Sequence, residues 1–81
     1  MKEKEIISVL KKELKKEKLN LESIEISYQV YENEEMVIIE CRINNGNYKK
    51  ILEKSVIIDN NIRKIFGDNV YVILIPSKRG G

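Results

Sequence analysis

With 81 residues the chain is long enough for one domain with a thin core, and at 42% hydrophobic and 35% charged residues its surface must be heavily solvated. A net charge of +2, with lysines interleaved among glutamates, does not favour nucleic acid as a partner. One cysteine and no histidine exclude an internal disulfide, the usual zinc ligand sets and a Ser/His/Asp machinery, so neither a metal nor an enzyme working by general base catalysis is expected.

No apolar run reaches membrane-spanning length, and the start MKEKEIISVL lacks a signal-peptide core, so a reducing cytoplasm is the expected compartment. Residues 2–19 read as an amphipathic helix. Ile6, Ile7, Leu10 and Leu14 recur at helical spacing among Lys and Glu, a narrow stripe suited to covering one face of a sheet. Glu13 and Lys16 form an i, i+3 pair of opposite charge. Binding a partner is the other use of such a stripe.

Residues 23–31 alternate strictly: Ile24, Ile26, Tyr28 and Val30 on one face, Glu25, Ser27, Gln29 and Tyr31 on the other. The polar break at residues 32–35 suits a hairpin loop, and residues 36–43 read as the return strand. Val37, Ile39, Cys41 and Ile43 share its apolar face, so Cys41 reads as a small buried hydrophobe. Asn44-Asn45-Gly46 is a turn signal.

Residues 47–66 admit two readings. Tyr48, Ile51, Leu52, Ser55, Ile58, Ile62, Ile65 and Phe66 could lie along one long helix. Against it stand the β-branched run Val56-Ile57-Ile58 and the turn formers Asp59-Asn60-Asn61. The other reading is a short helix over 47–54, a strand over 55–58, a turn at 59–61 and a helical turn over 62–66. Residues 70–75 are apolar throughout, which predicts a strand covered on both faces in the middle of the sheet. Pro76 ends it. Residues 77–81, Ser-Lys-Arg-Gly-Gly, have nothing apolar to bury and are expected to project into water.

The stretch GDNVYVILIPSKRGG resembles the C-terminus of the ubiquitin-like sulfur carriers, at Gly67, Asp68, Val70, Pro76, Gly80 and Gly81. SVIIDNN is similar to the strand and turn before it in those families, and KRGG to the basic residue and glycines of ubiquitin. The resemblance implies an α+β chain of the β-grasp, ubiquitin-like order ββαββ. Residues 1–21 would form an extra N-terminal helix, residues 22–76 the domain and residues 77–81 a Gly-Gly tail.

It also implies a non-enzymatic protein modifier. An E1-like adenylating enzyme would activate the Gly81 carboxylate with its own ATP, no cofactor being bound here, and an E2-like protein or a target would receive it in an isopeptide bond. A sulfur carrier bearing a C-terminal thiocarboxylate is the alternative within this class. Gly80 would let the tail enter a narrow channel, since glycine has no side chain and reaches all backbone angles. Lys78, Arg79 and Pro76 would present the tail to the partner. If residues 47–66 are one helix, the order becomes αββαβ. That order resembles the ring-building domains of spore and secretion channels, and it implies a non-enzymatic assembly module. No nucleic acid or membrane partner is expected.

Overall fold

The computed structural model describes residues 2–44 and 47–77. Helix α1 (Lys2–Lys16) is followed by strands β1 (Ile24–Tyr31) and β2 (Met36–Ile43), helix α2 (Tyr48–Phe66) and strand β3 (Val70–Pro76), with short 3-10 turns at Leu21–Ser23 and Glu32–Glu34. It is an α+β fold of order αββαβ with one three-stranded mixed sheet, β1-β2-β3. β1 and β2 form the expected hairpin, pairing antiparallel from Ile24 opposite Ile43 to Tyr31 opposite Met36. β3 runs parallel to β2, from Val70 opposite Val37 to Pro76 opposite Ile43. A parallel neighbour needs a long crossover, and α2 supplies it.

Both helices pack on one face of the sheet. Ile6, Leu10 and Leu14 of α1 and Ile51, Ile58 and Ile62 of α2 share one core with Ile39, Cys41 and Ile43 of β2 and Val70, Val72 and Leu74 of β3. The stripe of α1 thus covers the sheet of its own chain. α1 stops at Lys16, three residues short of the expected end. Lys18 takes a left-handed conformation (φ 64°) and the Leu19 N–H donates to the Leu14 carbonyl at 3.0 Å, which caps the helix and turns Leu19 toward the core. The Lys16–Glu13 pair forms at 3.5 Å.

Two expectations are corrected. Residues 55–58 are not a strand, and residues 59–61 are not a turn; both lie inside α2. The second-hairpin strand that a ββαββ order needs is therefore absent among the described residues. Tertiary partners explain why the helix wins. Ser55 Oγ accepts the Leu74 N–H at 3.0 Å, an Asp59 carboxylate oxygen accepts the Val72 N–H at 2.8 Å, and Asn61 Nδ2 donates to Glu13 Oε1 at 2.9 Å. Side chains so engaged do not compete for their own helix backbone. Poor helix propensity costs up to about 0.7 kcal/mol per residue. Each fully buried isoleucine stabilises by about 1.5–3 kcal/mol, so Ile51, Ile58 and Ile62 outweigh the β-branched run. Asn47 starts the helix by accepting the Lys50 N–H at 3.0 Å. Gly67 ends it at φ 108° and ψ 170°, a conformation that favours glycine.

The second correction concerns β3. It is an edge strand, not the central one; β2 lies in the middle. Val70, Val72 and Leu74 are buried, whereas Tyr71 and Ile73 face away from the helices and are exposed.

Ile57 and Ile58 are neighbours on α2 with opposite fates: Ile58 is fully buried and Ile57 is 45% exposed. Ile58→Ala is expected to cost about 2–5 kcal/mol and Ile57→Ala under about 0.5 kcal/mol. Urea titrations of both variants check this. Equal losses would mean that residues 55–58 are not helical in this register.

Candidate functional site

Of the residues singled out in the sequence, Pro76 closes β3 opposite Ile43, and the next N–H, that of Ser77, donates to the Ile43 carbonyl at 2.8 Å. The sheet thus holds the chain as far as Ser77. Lys78, Arg79, Gly80 and Gly81 lie outside the described residues, as does the turn at Asn45-Gly46. Among the described residues no group of three or more His, Cys, Asp or Glu is placed to hold a metal, and no helix is long and apolar enough to cross a membrane.

Surfaces offer more than clusters do. The outer face of the sheet, opposite the helices, carries Glu25, Ser27, Gln29 and Tyr31 of β1, Met36, Ile38, Glu40 and Arg42 of β2, and Tyr71, Ile73 and Ile75 of β3. Pairing sorts them. Glu25 lies opposite Arg42 and Ser27 opposite Glu40, which makes a polar corner. Ile38 lies opposite Tyr71, and Ile73 and Ile75 continue along β3, which makes an apolar strip. An outer face exposed to water would ordinarily alternate to polar residues. Here β3 stays apolar on both faces, and its outer half has no cover within the described residues.

A second apolar strip lies on α2. Tyr48, Leu52 and Val56 follow one another at i, i+4 and i+8, and all three are exposed, Tyr48 and Val56 by about 60%. Between the strips stands Arg63. Its guanidinium pairs with Asp59 at 3.3 Å and sits 4.9 Å from the centre of the Tyr71 ring. This stacking holds Tyr71 at the rim of the outer face and adds about 0.5–1 kcal/mol. The sequence carries a signal for this arrangement. Ser55, Asp59 and Arg63 recur at i, i+4 and i+8, a polar row along one side of the helix.

On the helix side, a groove of about 420 Å³ runs between α1 and β1, lined by Glu3, Ile7, Lys11, Leu21, Ile24, Ile26 and Tyr28. Burial, and then the carboxylate of Glu3, push the Tyr28 phenol above its ordinary range. The sequence matches no protein-family model and no curated protein, and no solved structure matches either.

Cys41 is buried in the core, with Ile26 and Leu74 on either side of it in the sheet. Burial raises its thiol from the ordinary value of 9.0 to about 12. The thiol is therefore held neutral, and it is expected to label slowly with thiol reagents until the protein unfolds. The unfolded chain ionises first, so the stabilising contribution is fully present below pH 9.0 and is lost as pH rises toward about 12. Denaturant titrations across that window are expected to show a steeper loss for the wild type than for Cys41→Ala. Parallel curves would show that the thiolate meets no penalty in the fold.

Proposed function

We propose that the chain is a non-enzymatic assembly module, in which the outer strip of α2 on one copy packs against the outer sheet face of the next. The observation that carries this reading is the uncovered apolar strip of Ile38, Tyr71, Ile73 and Ile75. A strand that is apolar on both faces is suited to cover on both faces, and the described residues cover only one. A helix presenting Tyr48, Leu52 and Val56 has the spacing and chemistry to supply the second cover. The αββαβ order supports the same reading, since it resembles that of the ring-building domains, where helix packs against sheet between neighbours. α1 is not the docking helix, because its apolar stripe is spent in its own core.

Such a contact joins unlike patches and can propagate. Ile73→Glu and Leu52→Glu are each expected to abolish open-ended growth, that is, species larger than a dimer, in sedimentation velocity, with little change in melting temperature, because both side chains are exposed. Mixing the two variants is expected to restore one contact, the intact α2 strip of the first against the intact face of the second. A mixture with no species larger than either variant forms alone would overturn the helix-on-sheet contact.

A second reading rests on Gly80-Gly81 following Pro76, Ser77, Lys78 and Arg79 in the sequence. In this reading Gly81 is adenylated by an E1-like enzyme and then conjugated, or converted to a thiocarboxylate. Deleting Gly80-Gly81 is then expected to abolish ATP–pyrophosphate exchange with the activating enzyme and to leave assembly intact. Exchange that survives the deletion would remove the tail from the chemistry.

A further inference from the structure

We propose that the free edge of β1 is the seam of a two-fold dimer, in which two copies pair their β1 strands antiparallel and continue one sheet across the axis. The surface differs from the one used in the assembly reading above, and either can fail without the other.

The backbone sets the starting point. The Asn44 N–H donates to the Ser23 carbonyl at 2.9 Å, and the hairpin register places these two residues opposite each other. In an antiparallel ladder the bonded pairs then alternate, so Glu25, Ser27, Gln29 and Tyr31 bond to β2. Ile26, Tyr28 and Val30 turn their N–H groups outward, where no described residue accepts them. The opposite edge of the sheet is closed, because Asp59 and Ser55 take the outward N–H groups of Val72 and Leu74. Protected edges are the rule in monomeric sheets, through charge, proline, bulges or a covering element. β3 has such a cover. β1 has no proline, lysine or bulge, and its one charge, Glu25, points to the outer face.

The edge is also complementary to itself. With Ser27 on the two-fold axis, Ile26 faces Tyr28 of the second copy and Ile24 faces Val30 on the helix side. Glu25 faces Gln29 on the outer side, so no like charges meet. Val30, 55% exposed although it shares a face with Ile24 and Ile26, then gains an apolar partner. The incoming Tyr28 and Val30 enter the groove beneath α1. The flank of α1 above that groove reads Glu3, Ile7, Lys11 at i, i+4 and i+8. Reversed by the two-fold, it sets each Glu3 toward Lys11 of the other copy, with Ile7 between them.

Sedimentation equilibrium in the Ile73→Glu background, where helix-on-sheet growth is blocked, isolates this seam. A mass of twice the chain is expected, with amide exchange at Ile26, Tyr28 and Val30 slowing as concentration rises. Glu3→Lys or Lys11→Glu alone is expected to raise the dimer Kd about tenfold, since each turns two exposed attractive pairs repulsive. The double variant, with both charges exchanged, is expected to return the Kd to within about threefold of the starting value. Both side chains are exposed on α1, so unchanged melting curves separate association from folding. A monomer at all concentrations, or a double variant no better than the singles, would overturn the proposal. Continued growth of Ile73→Glu beyond the dimer would count against the helix-on-sheet reading instead, and amide exchange at Ile26, Tyr28 and Val30 with the Glu3 and Lys11 variants would then decide the seam on their own.

Discussion

The contact on which the fold turns is the pair of hydrogen bonds from β3 to α2. Ser55 and Asp59 take the N–H groups of Leu74 and Val72, which point away from β2 and would otherwise line an open sheet edge. Buried or half-buried backbone donors need partners. A helix lying along the strand supplies them while burying Ile51, Ile58 and Ile62 beneath it. This arrangement fixes three things together. Residues 55–59 must be helical, because Ser55 and Asp59, one turn apart, reach β3 from one helix face. The sheet ends at β3, because its outer edge is already occupied. Both helices lie on one side, so the outer face is left to solvent or to a partner.

α1 completes the same core instead of standing apart from it. Ile6, Leu10 and Leu14 are fully or almost fully buried, and the polar contacts between the helices are specific. Glu13, only 8% exposed, accepts from Asn61 and pairs with Lys16, and the Lys54 ammonium donates to the Glu17 carbonyl. A buried carboxylate without partners would be costly, so these contacts fix the register of α1 on α2. The outer surface of α1 is then almost wholly Lys and Glu, while the apolar surface of the molecule gathers on α2 and β3.

The elements that could be read from the sequence are those whose signal is local. Alternation gave β1 to within one residue and β2 over its full length, the polar break located the hairpin, and the face assignment put Cys41 in the core. The long helix could not be chosen by local signals, since Val56-Ile57-Ile58 and Asp59-Asn60-Asn61 oppose it. Its deciding partners lie 13, 19 and 48 residues away in the chain. β3 misled for a related reason. Its unbroken apolar run correctly signals two faces suited to burial, but a sequence cannot say whether the second cover comes from the same chain. Of Pro76, Lys78, Arg79, Gly80 and Gly81, to which the resemblance gave roles with a partner, only Pro76 falls in the described structure, and there its role is to end β3 beside Ile43.

The two proposed contacts differ in symmetry, and that difference constrains what the molecule can build. A helix strip on a sheet face joins unlike patches, so each end of a run of copies keeps one patch free and the run closes only as a ring. A β1–β1 seam joins like patches and stops at two. The capped edge at β3 matters here. Were it open, β1 of one copy could pair with β3 of the next, and the sheet could extend without limit, the usual hazard of exposed edges. With Ser55 and Asp59 closing β3, strand pairing is confined to the one edge that is complementary to itself. Strand pairing can therefore link copies only in twos. On these proposals a larger assembly would grow through the apolar outer face, at whose rim Arg63 stacks 4.9 Å from the centre of the Tyr71 ring.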